Sequence, residues 1–455
     1  MGWRWGSERG AARLGAVAVG AAALVACSSG AGQAGSGQGI ADDDDGESGA
    51  TGWGVVPTGS GSTGSASSGS LDTTGSAEAT ADAESGAATS TSGTTGAASC
   101  ANWITPLSLS SGEAREFEVA ADDTLLGVAF TDDGALLFAL DRCDGTLLHE
   151  TLASDDPDLA LGDVVVDGAR MIASGGLNGL GYALAVDYDR ARGFSTVFEG
   201  TIGTSTNDDE AFDIALSDDG AIWIAGTASV NTSPTAALVR GTEGGGFCDF
   251  PGADFVGGFG RAVAAGSADV FLFAGGSAGV AVSRYIQADC SCAVCSPAAT
   301  GAPIEFEGEA TSVNAALAVG DSVVFSGWVG PSIPEFRALL ASVDAAGNPE
   351  AMVVRDLTGD GDAFQELGTD GSLVYAAGVT EAEGLGLLDQ GSAVIEVYAL
   401  PLVDDAAPER SFATAQVSNV VGITVAPEGE DGFFVAGAKD GGAFVIRCDK
   451  VDGCD

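Results

Sequence analysis

The sequence predicts an all-β protein, a β-propeller of about seven four-stranded blades preceded by a disordered tether. Three observations predict it. A strand-turn-strand cassette ending in glycine closes at Gly175, Gly226, Gly275, Gly327, Gly378 and Gly437, at intervals of 51, 49, 52, 51 and 59 residues. Periods near 50 belong to repeated blades or solenoid coils. The first strand of the cassette alternates apolar and polar residues with period 2, and its returning strand is an unbroken apolar run. A second, looser pair of strands follows each glycine, so each unit holds four antiparallel strands, the make-up of a propeller blade.

The clearest cassette runs from Phe212 to Gly226. Phe212, Ile214 and Leu216 fall on one face of a strand, and Asp213, Ala215 and Ser217 on the other. Asp219-Gly220 then turns the chain, and the pair recurs at Asp133-Gly134, Asp167-Gly168, Asp370-Gly371 and Asp431-Gly432. Asp-Gly between apolar runs suits a type I′ hairpin, whose two central residues both need positive φ. Two copies, Ser267-Ala268-Asp269 and Val319-Gly320-Asp321, must turn differently. The returning strand Ala221–Ala225 has parallels at 270–274, 322–326 and 433–436, and such runs imply burial on both faces.

The outer pair follows, as at Tyr182–Asp187 with Phe194–Phe198, and Arg337–Val343 with Ala351–Arg355. Six inner hairpins are clear, and seven outer segments, because 135–143 and 443–448 both fit that role. A degenerate first hairpin is expected within Glu116–Asp133, which gives seven blades, with six or eight the neighbouring counts. The span from Asp213 to Gly226, followed by Ala237-Leu-Val-Arg240, resembles the bacterial seven-bladed β-propeller repeat family. The resemblance extends from about Asp163 to Arg447 and implies a fold, not an activity, since these propellers share no catalytic residues. The Gly-Gly pairs at 175–176 and 275–276 are shared with kelch repeats, whose spaced Tyr and Trp are missing, and WD40 repeats are excluded by the lack of Gly-His and Trp-Asp pairs.

Residues 1–26 read as an export signal: Arg4, Arg9 and Arg13 precede an apolar run, Leu14–Ala26, too short to span a bilayer as a helix. The tetrapeptide Leu24-Val-Ala-Cys27 resembles the lipobox of bacterial lipoproteins. That resemblance implies a lipidated Cys27, cleavage before it, acylation of the new amino terminus with palmitate-type chains, and, because Ser28 follows, an outer-membrane address. Residues 27–99 are Gly, Ser, Thr, Ala and acid with almost nothing to bury, a tether averaging roughly 45 to 50 Å end to end. The propeller domain is expected to occupy 100–455.

The formal net charge is −48, from 65 acidic and 17 basic residues, with Lys439 and Lys450 the only lysines. Such a surface repels phosphate backbones, so nucleic acid is excluded as a partner. The expected partners are the membrane, through the lipid, and a protein or glycan. Apart from Cys27, the eight cysteines Cys100, Cys143, Cys248, Cys290, Cys292, Cys295, Cys448 and Cys454 form an even set, which in an exported chain reads as disulfides. Cys448 with Cys454 would close a last outer hairpin, Cys100 would pin the domain entrance to Cys143, and Cys248 would meet one of the Cys290 group across adjacent blades. The spacing Cys290-x-Cys-x-x-Cys295 also admits zinc, although no histidine lies nearby to complete the set.

The weak calcium candidate is the turn carrying Asp356, Thr358, Asp360 and Asp362, which imitates the start of an EF-hand loop. The residue in the final bidentate position is Leu367, with Glu366 one place early, and the turn aligns with 207–212 as a blade-junction loop. No cofactor is therefore expected. No catalytic residue is assigned either: His149, the only histidine, falls in an outer strand, and no nucleophile elbow or phosphate loop is present. Binding is the leading expectation. A polysaccharide hydrolase or lyase, with paired carboxylates brought together at the propeller mouth, is the alternative.

Overall fold

The computed structural model describes residues 100–454, apart from 108–111, 132, 155, 203–209, 231–232, 242–246, 252–258, 277, 292–294, 332–334, 359–360, 381–391, 415–418, 428–429 and 440–441. The export signal, Cys27 and the tether lie outside the described residues.

Seven antiparallel sheets form seven blades. The innermost strands, in chain order, are Gly112–Val119, Leu159–Asp167, Glu210–Leu216, Phe259–Ala265, Glu309–Val319, Ala363–Thr369 and Asn419–Val425. Each packs against the innermost strands of its two neighbours and the seventh returns to the first, so together they surround a central axis. A short strand, Glu305–Phe306, is added beside the innermost strand of blade 5.

The expected first hairpin is present as Gly112–Val119 paired with Thr124–Thr131. The returning strands are buried on both faces, as their continuous apolar runs require: Ile222, Trp223, Ile224 and Ala225 are all buried. The third strand of each blade is buried as deeply, as in Ala183–Val186 and Ala338–Ala341, so only the fourth is loose. Burial is organised between blades rather than within them. Seven apolar clusters occupy the seven seams, from Leu126 against Leu161 between blades 1 and 2 to Phe138 against Phe434 between blades 7 and 1.

The cassette glycine has a steric cause. A Cβ on Gly175, Gly327 or Gly378 would lie 2.0 Å from the carbonyl oxygen of Ala160, Ser312 or Ala363 on the innermost strand. In these three blades the approach faces a bulge in the innermost strand, at the register step between Leu161 and Asp163, Val313 and Ala315, or Phe364 and Glu366, whereas a Cβ on Gly275 would meet only the Arg261 side chain, at 3.6 Å.

The Asp-Gly turns are not type I′. Glycine alone takes positive φ in them, 64° at Gly168, 80° at Gly220 and 97° at Gly371, and no aspartate of these pairs does. In the Phe212–Gly226 cassette, Gly220 N–H donates to Ser217 O at 2.8 Å, so the turn spans Ser217–Gly220 and its glycine leads back into the sheet, a three-residue hairpin with a glycine bulge. The aspartate contributes through its side chain: Asp219 Oδ1 accepts from Ser217 Oγ at 2.6 Å and Ala221 N at 3.2 Å.

The ring closes in a way the repeat pattern does not announce. Trp103–Pro106 pairs with Gly442–Cys448, so the amino-terminal strand supplies the outermost strand of the seventh blade. Cys448 and Cys454 are disulfide-bonded, but they close a loop after that blade's third strand rather than an outer hairpin. Cys100–Cys143 ties the entering strand to blade 1. Around this disulfide, Thr105 Oγ1 donates to Gly145 O at 2.6 Å, Trp103 Nε1 to Arg142 O at 3.3 Å, and Arg142 pairs with Glu430 of blade 7.

Candidate functional site

The innermost strands bring carboxylates from distant parts of the chain to the axis. The bulge between Ala211 and Asp213 leaves Phe212 unpaired, so the alternation expected at 212–217 holds only from Asp213 on, and Phe212 lies against Arg261 of blade 4. Asp163 and Glu366 occupy the corresponding places in blades 2 and 6, and blade 1 adds Glu116 and Glu118. Glycine takes this place in blade 7, where a Cβ on Gly422 would lie 2.0 Å from Arg115 O and 3.0 Å from Glu116 Oε2.

Most of these acids accept backbone N–H groups across a seam. Glu118 Oε2 accepts from Val166 N at 2.6 Å, joining blade 1 to blade 2. Asp163 Oδ2 accepts from Ile214 N at 2.7 Å, joining blade 2 to blade 3. Asp213 Oδ2 accepts from Val263 N at 2.6 Å, joining blade 3 to blade 4. Asn314 works in the opposite sense, Nδ2 donating to Phe364 O at 2.8 Å between blades 5 and 6. An innermost strand is an edge strand with backbone groups left outside its own ladder, and these side chains pair with some of them.

The electrostatic setting is unusual for carboxylates. Burial pushes Glu118 up to about 7, with the Val166 N–H opposing and Asp163 adding to the rise. Burial also raises Glu116, helped by the charges of Glu366 and Asp163, and raises Glu366, helped by Asp163. Burial raises Asp163, with the neighbouring Asp213 side chain and the Ile214 and Val164 N–H groups opposing, and raises Asp213, with the side chain and charge of Asp163 adding to the rise. Glu116 is 7 % exposed, whereas Glu118, Asp163, Asp213 and Glu366 are half-buried, so the last four keep contact with solvent along the axis.

His149 lies on the fourth strand of blade 1, far from the axis, with Nε2 3.0 Å from Arg190 O and its ring edge-on to Tyr188. It is a seam contact between blades 1 and 2, not a base beside a carboxylate. In the calcium candidate, Asp362 is buried and its Oδ2 accepts from Leu357 N at 2.6 Å and Thr358 N at 3.2 Å, while Oδ1 accepts from Thr358 Oγ1 at 2.9 Å. Thr358 and Asp362 thus bind each other, Asp356 faces outward, and Asp360 lies outside the described residues. Among the described residues no group of three or more His, Cys, Asp or Glu side chains has a metal-holding arrangement.

Cys290 is disulfide-bonded to Cys295, which removes two of the thiolates a zinc site would need. Cys248 is disulfide-bonded as well and packs in one buried cluster with Cys290, Cys295 and Trp223 between blades 3 and 4. Cys292 lies outside the described residues.

The sequence alone assigns no residue to the axis. The signal was present: Asp163, Asp213 and Glu366 fall 12, 13 and 12 residues before the cassette glycine, each inside an otherwise apolar strand. In a chain so rich in acid, that spacing has meaning only once the strands are known to share an axis.

No protein-family model matches the chain, and no curated protein matches it. Solved structures do. A streptogramin B lyase is 12% identical over 76% of this chain and 97% of its own, with a TM-score of 0.45. The catalytically inactive virginiamycin B lyase from Staphylococcus aureus with quinupristin is 9% identical over 76% and 99%, with a TM-score of 0.48. Chaetomium thermophilum Raptor is 9% identical over 77% of this chain and 28% of its own, with a TM-score of 0.53. At such identities the likeness is one of fold, and the fold is a seven-bladed β-propeller.

Proposed function

We propose that this chain is a lipid-anchored propeller of the bacterial cell envelope that works by binding, presenting its junction loops to a protein or glycan partner at the outer membrane. The observation that carries the reading is the use made of the axial carboxylates. Asp163, Asp213 and Glu118 are held by backbone N–H groups of the neighbouring blade, which makes them parts of the frame. A hydrolase or lyase of polysaccharide needs two carboxylates free to exchange protons with substrate. A rigid ring whose loops vary while its strands do not is suited to recognition. Anchoring rests on the sequence: the cationic start, the apolar run and the lipobox-like Leu24–Cys27.

Two experiments test this. Cys27→Ala should leave the protein extractable without detergent or retained as its precursor, and normal membrane partitioning of that variant would overturn the anchor. Envelope glycans and peptides offered to the purified protein should bind saturably and be recovered unchanged. Turnover of a polysaccharide that disappears in both Asp163→Asn and Glu366→Gln would establish the enzymatic alternative.

A further inference from the structure

The axis carries more carboxylate than the frame neutralises. Asp163 and Asp213 converge on one donor: Ile214 N–H lies 2.7 Å from Asp163 Oδ2 and 3.0 Å from Asp213 Oδ1. Their other oxygens are already held, Asp163 Oδ1 by Val164 N at 2.7 Å and Asp213 Oδ2 by Val263 N at 2.6 Å. Two charged carboxylates brought together on a single N–H repel, whereas one proton between them converts the repulsion into a hydrogen bond. A second observation points the same way. Glu116 Oε2 is buried without a hydrogen-bond partner among the described residues, and the charges of Glu366 and Asp163 act on its carboxyl. An unpaired charge there would be costly, and a neutral carboxyl much less so.

Among the described residues, the cations nearest the axis are Arg115 and Arg261. Blade 1 contributes Glu113, Arg115, Glu116 and Glu118, and Arg115 is paired with Glu113 at 3.1 Å. Blade 6 contributes Glu366, which Arg115 attracts at longer range. Blade 4 contributes Arg261, whose guanidinium lies 4.3 Å from the centroid of the Phe212 ring. Behind blade 2's innermost strand, Arg170 pairs with Asp187, and Tyr182 donates to Glu199.

We propose that the axis is a proton-binding site, in which Asp163 and Asp213 share one proton and Glu116 keeps another at neutral pH, and that the seams joining blades 1 to 4 loosen when these protons leave. Release transfers each proton to a base in the solvent, leaving one additional carboxylate charge on the axis per proton lost. The inference is independent of whether the protein binds or turns over its partner.

Infrared difference spectra of the full chain between pH 6 and pH 9 test it directly. The expected result is a protonated-carboxyl band at neutral pH that Asp213→Asn and Glu116→Gln each diminish. The melting temperature of the wild type should fall from pH 6 to pH 9. It should fall less steeply in Asp213→Asn, whose amide donates permanently to Asp163. Absence of the band from the wild type at neutral pH overturns the proposal even if neither variant folds, and so does an unchanged slope in both folded variants. Calcium or magnesium added at pH 8.5 should leave the melting temperature unmoved. A saturable rise that requires Glu116 would assign the site to a metal ion instead.

Discussion

At the scale of the residue, the repeat is set by two kinds of close approach. Gly175, Gly327 and Gly378 each admit a carbonyl oxygen that a Cβ would strike at 2.0 Å. Gly378→Ala should therefore cost about 1 to 3 kcal/mol through forced backbone displacement, read as a lower urea midpoint with an unchanged slope. The buried carboxylates make the second approach. Glu118, raised to about 7, binds its proton more tightly in the folded chain than in the unfolded one, where a glutamate titrates near ~4.3. Its contribution is full below the unfolded value and is lost as pH rises through about 7, so the wild type should melt lower at pH 8 than at pH 5.5. Glu118→Gln, which keeps an acceptor for Val166 N–H, should reduce that difference; an identical pH profile would remove Glu118 from the explanation. The recurring glycines were legible because a repeat preserves them. The carboxylates were not, because a period-2 pattern does not show which blades meet, and Asp213 meets Val263 N–H of blade 4 and Asp163 of blade 2 only once the ring is assembled.

At the scale of the element, the inner hairpins were readable because alternation and Asp-Gly turns are local properties. The closing strand was not readable in the same way. Trp103–Pro106 is four residues long and finds its partner more than three hundred residues later, so no local signal announces the pairing. Only Cys100, which was expected to pin the domain entrance, hinted at it. The two bridges near the closure differ in reach, with a sequence separation of 43 for Cys100–Cys143 and 6 for Cys448–Cys454. Loop entropy then gives roughly 4 kcal/mol for the first and roughly 2 for the second. Replacing Cys100 and Cys143 together by Ser should consequently lower the melting temperature more than replacing Cys448 and Cys454. Equal losses would mean that the closing strand is held by its backbone ladder and by Thr105, Trp103 and Arg142 rather than by the bridge.

At the scale of the molecule, stability lies in seven seams, each an apolar cluster shared by two neighbouring blades, so no blade has a core of its own. A ring built this way is stable only when closed, and the entering strand Trp103–Pro106 is fastened by its pairing with the seventh blade and by Cys100–Cys143. We propose that this closed ring is joined to the membrane through a lipid on Cys27. Limited proteolysis of membranes carrying the full chain tests both halves at once. The account predicts that protease releases a soluble, β-rich fragment whose new amino terminus falls within residues 28–99 and whose melting temperature matches that of the uncut protein, while an acylated peptide beginning at Cys27 stays with the membrane. Protein that is soluble before any cleavage, or first cuts that fall within the blade strands, would contradict it.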